Sequence, residues 1–342
     1  MVEICENRVL GHHSMYFNSL LKINGVKLKF IDMEVSEDKK NIYLYFNSRK
    51  KLLKEYLKSN EKIVHILTGD YIYILPIIRK ISSKRKKVIM TIHHVPHNKF
   101  KLLLLKNFSK KIDVIVVHSI FLKEELSKVG IKNVEVIDYP SFHDYSLIDK
   151  KETIKKKYNI STTKTVISLL GGTRNDKGAD ILLESLNYLD DEKKSNITIN
   201  ISGKEEYFTK EFILKNLKNV DFKLNLKELT DEEFCENVLI TDIMIMPYRK
   251  TFGGNSGPMT EAIVNKIPCI APRELNIGKI ITQNNIGETF ECENSKDLAE
   301  MIKKVMDSSE QYYKENFHEM LTETIFLQAY EKLYFKLLNE IN

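Results

Sequence analysis

Two stretches of this chain carry residues whose types and spacing suit phosphate chemistry. The first is Leu169-Leu170-Gly171-Gly172-Thr173-Arg174-Asn175-Asp176-Lys177-Gly178-Ala179-Asp180. It follows an apolar run of strand character and leads into a helical pattern over 180–189. Paired glycines let a backbone turn tightly and approach a ligand closely. Arg174 and Lys177 add a bidentate fork and a compact point charge beside that turn, which suits a diphosphate. A plain glycine turn with two solvated cations is the alternative. The pattern is neither Gly-x-Gly-x-x-Gly nor a Walker loop, so neither a dehydrogenase nor an ATPase is supported. The second stretch is Asp242-Ile243-Met244-Ile245-Met246-Pro247-Tyr248, followed by Gly253-Gly254-Asn255-Ser256-Gly257-Pro258-Met259-Thr260-Glu261-Ala262. A buried strand ending at Pro247 gives way to a glycine-rich loop, and Pro258 is placed as the first residue of a helix. The N–H groups and positive dipole end of such a helix suit a phosphate. Glu261, in the first turn, can accept two hydroxyl hydrogen bonds of the kind a ribose supplies. Alternatively it only favours the helix N-terminus.

Three segments of the first half are weaker candidates. Gly11-His12-His13-Ser14 follows the first strand, and a helical stretch over Tyr16–Ile23 comes next. Thr91-Ile92-His93-His94-Val95-Pro96-His97 follows a later strand, and Val116-Val117-His118-Ser119 ends the one after that. The clustered histidines raise the question of a metal. His93 and His94 are adjacent and no fourth ligand stands out, so no metal is expected. Basic residues gather at Lys84-Arg85-Lys86-Lys87 and along Lys99–Lys111, where an apolar stripe runs through Phe100, Leu103, Leu104 and Phe108. Such a segment is either a helix with solvated lysines or a contact for an anionic bilayer, each surface Lys adding about 1 kcal/mol. No aromatic platform or reader motif points to nucleic acid.

The elements that must position these residues follow from length and periodicity. A chain of 342 residues fits two domains rather than one core. Its net charge of +6 is uneven: residues 1–150 hold 27 Lys and Arg against 16 Asp and Glu, and residues 151–342 hold 26 against 31. The first half is therefore the one that attracts anionic partners. No apolar run approaches a membrane span, and the N-terminus has no secretory pattern. Four scattered cysteines give neither a zinc cage nor a disulfide framework, so the cytoplasm is the expected compartment. Candidate strands are Val2–Cys5, Lys27–Ile31, Ile42–Phe46, Ile63–Leu67, Val88–Ile92, Val114–Val117 and Val134–Ile137. A second series comprises Thr165–Leu169, Ile197–Ile201, Val220–Lys223, Asp242–Met246, Pro268–Ala271 and Glu288–Phe290. Many are continuously apolar and alternate with helical segments such as Ser48–Ser59. This predicts two α/β, doubly wound parallel sheets with helices on both faces. The break near Tyr139-Pro140 places the domains at 1–150 and 151–325. An amphipathic helix over about Met320–Ile341 closes the chain, its last part, 326–342, expected to pack back across the domains. Ligands are expected beyond the carboxyl ends of the strands.

The two phosphate-type segments resemble the donor half of retaining glycosyltransferases with the GT-B fold, the group often called family 4. Gly172-Thr173-Arg174-Asn175-Asp176-Lys177-Gly178 is similar to that family's Gly-x-Arg-x-x-x-Lys-Gly turn, one residue shorter between Arg and Lys than in many members. The run from Gly253 to Glu261 is similar to its Glu-x7-Glu element, with Gly253 in place of the first Glu. The likeness covers residues 165–305 well and the first half more loosely. It implies two Rossmann-like domains facing a cleft, and metal-independent transfer of a sugar from a UDP- or GDP-linked donor, with no cofactor. The acceptor would be a saccharide or lipid-linked saccharide, as in cell-surface polysaccharide synthesis, with peripheral contact at the inner face of the membrane. By carry-over, Arg174 and Lys177 hold the diphosphate and act in catalysis, and Glu261 holds the ribose. Gly11, Gly172, Asn255, Ser256 and Gly257 line the donor site, and His93 contacts the donor sugar or orients the acceptor. Ser119 matches a cleft serine of the family. The missing Glu at position 253 keeps a non-catalytic partner subunit in view, and a sugar-nucleotide 2-epimerase is the nearer alternative.

Overall fold

The structure is a computed structural model that describes residues 1–7, 14–96, 98–217, 219–254, 256–308, 312–313 and 316–341. The chain forms two compact units, Met1–Phe142 with Glu323–Asn342, and His143–Thr322. These divisions stand beside the sequence-based ones at 150/151 and 325/326.

The first unit contains strands β1 (Val2–Asn7), β2 (Val26–Ile31), β3 (Ile63–Ile66), β4 (Lys87–Thr91), β5 (Val114–Val117) and β6 (Val134–Val136). They form one parallel sheet in the order β2-β1-β3-β4-β5-β6. The second unit contains β7 (Thr165–Leu170), β8 (Ile197–Ser202), β9 (Asp221–Asn225), β10 (Ile243–Ile245), β11 (Cys269–Pro272) and β12 (Gly287–Phe290). These form a second parallel sheet in the order β12-β11-β10-β7-β8-β9. Successive side chains on a strand point to opposite faces. Accordingly Val64 and Met90 join a core with Leu52 and Tyr56, while their neighbours Ile63 and Ile89 join another with Tyr16 and Tyr330. Leu169 and Leu170 likewise enter different cores in the second unit. Burial on both faces explains why inner strands such as Val114–Val117 read as unbroken apolar runs, whereas the edge strand Val26–Ile31 does not.

One expected strand is absent. Ile42–Phe46 opens a helix, Ile42–Leu57, whose N-terminus is capped by the Asn41 side chain accepting from the Leu44 N–H at 3.1 Å. Ile42, Tyr43 and Leu44 are exposed there. The aromatic and β-branched run has strand propensity, but position decides the outcome. The last helix, Glu323–Asn339, buries Phe326, Tyr330, Leu333, Tyr334 and Leu337 in a core of the first unit. Its Tyr334 hydroxyl meets His65 Nδ1 at 2.8 Å, and His65 Nε2 meets Thr91 Oγ1 at 2.7 Å. Burial pushes the His65 imidazole down to about 3, which keeps it neutral within this network.

In each sheet the strand order reverses beside the first strand, between β1 and β3 and between β7 and β10. Such a reversal opens a crevice at the carboxyl ends of the flanking strands.

Candidate functional site

The crevice of the second sheet is bounded by the residues that follow β7 and β10. After β7, Gly171 takes φ +99° and Gly178 takes φ +64°, both in the region that favours glycine. A Cβ on Gly178 would sit 2.0 Å from the Pro247 carbonyl oxygen, so the turn lies directly on the exit of β10. Residues Asn175–Lys177 form a single 3₁₀ turn, and the helix Ala179–Ser185 follows.

That turn buries the Lys177 side chain, which is 8% exposed. Its ammonium lies 3.4 Å from the Leu170 carbonyl oxygen and 5.5 Å from the centre of the Tyr248 ring. A Cβ on Gly171 would come within 2.4 Å of the same nitrogen, so the glycine makes room for the amine. Arg174 is placed differently. Its guanidinium is half exposed and bound side-on by Asp176, with Nε and Nη2 both at 2.9 Å from the carboxylate. That pair, foremost through its hydrogen bonds, holds the Asp176 carboxyl below its ordinary range and Arg174 above its own.

Tyr248 connects the turn to the second motif. It is buried, and its hydroxyl meets Ser256 Oγ at 3.0 Å. Ser256 caps the helix Gly257–Val264 by accepting from the Met259 N–H at 3.3 Å. The Ser256 side chain is thus committed to building the helix start. A Cβ on Gly257 would meet nothing within 4 Å, so this first helical residue faces open space. Asn255 and Gly11 lie outside the described residues. Gly172 packs near Glu206, whose Oε1 would be 2.6 Å from a Cβ there. Glu261 sits further along the helix and is 4% exposed. Its Oε1 accepts from His143 Nδ1 at 3.0 Å and its Oε2 from the Tyr145 hydroxyl at 2.8 Å.

Arg249 is a residue that sequence reasoning missed. Its backbone N–H donates to the Asp176 carbonyl at 2.9 Å. Its guanidinium reaches the Asn175 carbonyl at 2.7 Å, both oxygens of Asp180 at 3.1 and 2.6 Å, and Glu293 at 3.2 Å. It therefore ties the glycine turn to the segment after β10. Arg249→Ala should cost about 1–2 kcal/mol in urea unfolding, after allowance for solvent screening of a partly exposed pair. Arg249→Lys, which keeps the charge and loses the fork, should recover less than half of that.

In the first unit, His93 follows β4, and its N–H donates to Asp70 Oδ2 at 3.0 Å. The His94 N–H donates to Oδ1 of the same carboxylate, also at 3.0 Å. The His93 ring packs 5.0 Å from His118 and edge-on to Tyr16. Ser119 caps the helix Ile120–Lys128, accepting from the Phe121 N–H at 3.1 Å. Among the described residues no group of three or more His, Cys, Asp or Glu side chains comes together as a metal set.

Part of the basic surface holds the fold together. Lys86 donates to the Leu57 and Ser59 carbonyls at a helix end, and Lys87 pairs with Glu340 at 2.8 Å. The helix Lys99–Ser109 buries Leu105 and Phe108 and leaves Phe100 and Leu103 63% and 61% exposed. The stripe expected over Phe100, Leu103, Leu104 and Phe108 is therefore split between core and surface. Ile78, 89% exposed, lies near the residues that follow this helix: its carbonyl accepts from Lys111 Nζ at 2.9 Å. Among the described residues no helix is long and apolar enough to cross a membrane.

Residues 150–320 match the family model described as glycosyl transferases group 1, which spans half of the chain. The chain belongs to the glycosyl transferases group 1. No curated protein matches this glycosyl transferase by sequence. Among solved structures it is similar to sucrose-phosphate synthase from Thermosynechococcus elongatus, with 10% identity, a TM-score of 0.76 and 99% of both chains covered. It is also similar to Anabaena Alr3699/HepE in complex with UDP, with 11% identity, a TM-score of 0.71, and 98% of this chain and 99% of that one covered. A glycosyltransferase from Rickettsia africae ESF-5 is 17% identical, with a TM-score of 0.66 and 98% of both chains covered. The glycosyl transferase thus has the GT-B fold, with two Rossmann-like sheets.

Proposed function

We propose that this glycosyltransferase moves a sugar from a nucleoside diphosphate sugar to a saccharide or lipid-linked saccharide hydroxyl, with retention at the anomeric carbon and without a metal. The observation that carries this reading is the buried Lys177 ammonium, held over Gly171 at the sheet's reversal point and against Tyr248, whose hydroxyl meets Ser256, the cap of the helix Gly257–Val264. Departure of the sugar builds negative charge on the diphosphate. Lys177 and the helix N-terminus are preorganised to stabilise that charge, with Arg174 reinforcing from the rim. Glu261 is the ribose anchor, and Ser256 serves by fixing the helix start. Gly172 lets the backbone pass close to the donor. His93, in the first unit, contacts the sugar or orients the acceptor. No side chain is assigned as a nucleophile; the leaving phosphate takes the acceptor's proton. Bound UDP in the HepE structure supports a nucleotide donor here by analogy of fold.

Incubation with a panel of UDP- and GDP-sugars, followed by proton NMR of the anomeric signal, tests the reading. At least one donor should turn over with its anomeric configuration kept. Isomerisation of the donor alone would favour an epimerase. Nucleotide binding without turnover of any donor would favour a non-catalytic subunit, the reading that Gly253 in place of a carboxylate supports.

The setting we propose is the cytoplasmic membrane surface, in polysaccharide synthesis. Exposed Phe100 and Leu103, on the same helix as Lys99 and Lys101 with Lys110 at its end, match an anionic bilayer in both polarity and charge. The protein should sediment with vesicles rich in anionic lipid at low salt and release at high salt. Leu103→Glu should abolish sedimentation; unaltered sedimentation would move the contact elsewhere.

A further inference from the structure

The surroundings of Glu261 lead beyond its role as an anchor. Its side chain is 6% exposed and that of His143 is 13% exposed. The two donors come from one short stretch, residues 143–145, more than a hundred positions earlier in the chain. One donor meets each carboxylate oxygen, which is also how the two hydroxyls of a ribose would engage it. Burial of the carboxylate beneath these side chains means that a diol reaches it only after they yield. We propose that His143 and Tyr145 form a latch over Glu261, which the ribose of a nucleotide must open, so that the latch sets affinity for ribonucleotides. This inference rests on the reading of Glu261 as the ribose anchor.

The chemistry of both donors suits a latch. Burial, then the charge of Glu261, pushes the Tyr145 phenol far above its ordinary range, so it remains a donor at every working pH. Burial alone would push the His143 imidazole down. The hydrogen bond and charge of Glu261, with Asp231 behind them, outweigh that and leave it raised. The groups facing His143 and Tyr145 are Glu261 and Asn265 from one side, and Asp231, Phe234 and Cys235 from the helix Asp231–Leu239. Cys235 is pushed up to about 12 and stays neutral. The sign follows from the raised value. The imidazolium–carboxylate attraction is present below the ordinary imidazole range and is lost as pH rises through the raised pKa of His143. Affinity for the ribose should therefore rise with pH.

Calorimetry with UDP and GDP, each beside its 2′,3′-dideoxy analogue, tests this on the full chain. The ratio of the two affinities reports the ribose contact and cancels titration of the phosphates. Tyr145→Phe should raise that ratio about three- to tenfold. In wild type the ratio should climb with pH, and His143→Gln should raise and flatten that profile. A cooperative thermal transition in each variant shows that it is folded. A ratio lowered or unchanged by Tyr145→Phe, with Glu261→Gln lowering it, would overturn the latch and leave the anchor standing. A ratio unmoved by Glu261→Gln, or no binding of either nucleotide, would remove the anchor and the latch together.

Discussion

Replacing Lys177 by Ala should weaken nucleoside diphosphate binding about tenfold or more while leaving the fold intact. An ammonium carries three donors, and among the described residues this one has a long 3.4 Å bond to the Leu170 carbonyl and the face of Tyr248. A buried cation with few strong partners gains more from an incoming anion than a solvated one does. Charge-assisted hydrogen bonds are worth about 1.5–3 kcal/mol, and that range gives the tenfold figure. Arg174 provides an internal comparison. It is half exposed and already paired side-on with Asp176, so solvent and the carboxylate both screen it. Arg174→Ala should therefore cost less affinity than Lys177→Ala. Calorimetric titration with UDP and GDP checks both values, and the reverse ranking would shift the diphosphate from the buried amine to the rim.

Gly178→Ala should show the largest loss of stability. The residue has φ +64°, and its added Cβ would lie 2.0 Å from the Pro247 carbonyl oxygen. A left-handed conformation costs a non-glycine residue about 1–2 kcal/mol. Overpacking against backbone, which cannot rotate away, adds about 1–3 kcal/mol. The sum, about 2–5 kcal/mol, is a large share of the roughly 5–15 kcal/mol typical of a native protein. Gly257→Ala is the matching control. A Cβ there meets nothing, and removing a glycine restricts the unfolded chain, so stability should hold or rise by up to about 1 kcal/mol. Urea unfolding of the two variants separates a strained turn from a general dislike of losing glycine. Equal, small effects would contradict the geometry given for the turn.

What could be read from the sequence was local. Continuous apolar runs gave away strands buried on both faces, and the adjacent glycines marked the turn that carries Lys177. The same local reading misassigned Ile42–Phe46, because its strand-favouring side chains lie on the exposed start of a helix. Ser256 stands three residues before Met259, as a capping residue does, yet its side chain is spent on the helix and on Tyr248 rather than aimed outward. The partners of Glu261 had no signal at all. His143 and Tyr145 lie 118 and 116 positions away, and only the fold brings them together. Arg249 was hidden for the same reason, since its partners Asp180, in the helix Ala179–Ser185, and Glu293 lie far from it in sequence. A count of basic residues could not reveal that Lys86 and Lys87 are tied to a helix end and to Glu340. Apart from that one helix start, what the linear sequence concealed was the pairing of distant segments.

A crystal structure with UDP or GDP bound tests the central claim most directly. The account predicts the diphosphate within hydrogen-bonding reach of Lys177 Nζ and of the backbone at Gly257, with the ribose turned towards Glu261. A nucleotide bound away from residues 171–178 would contradict it.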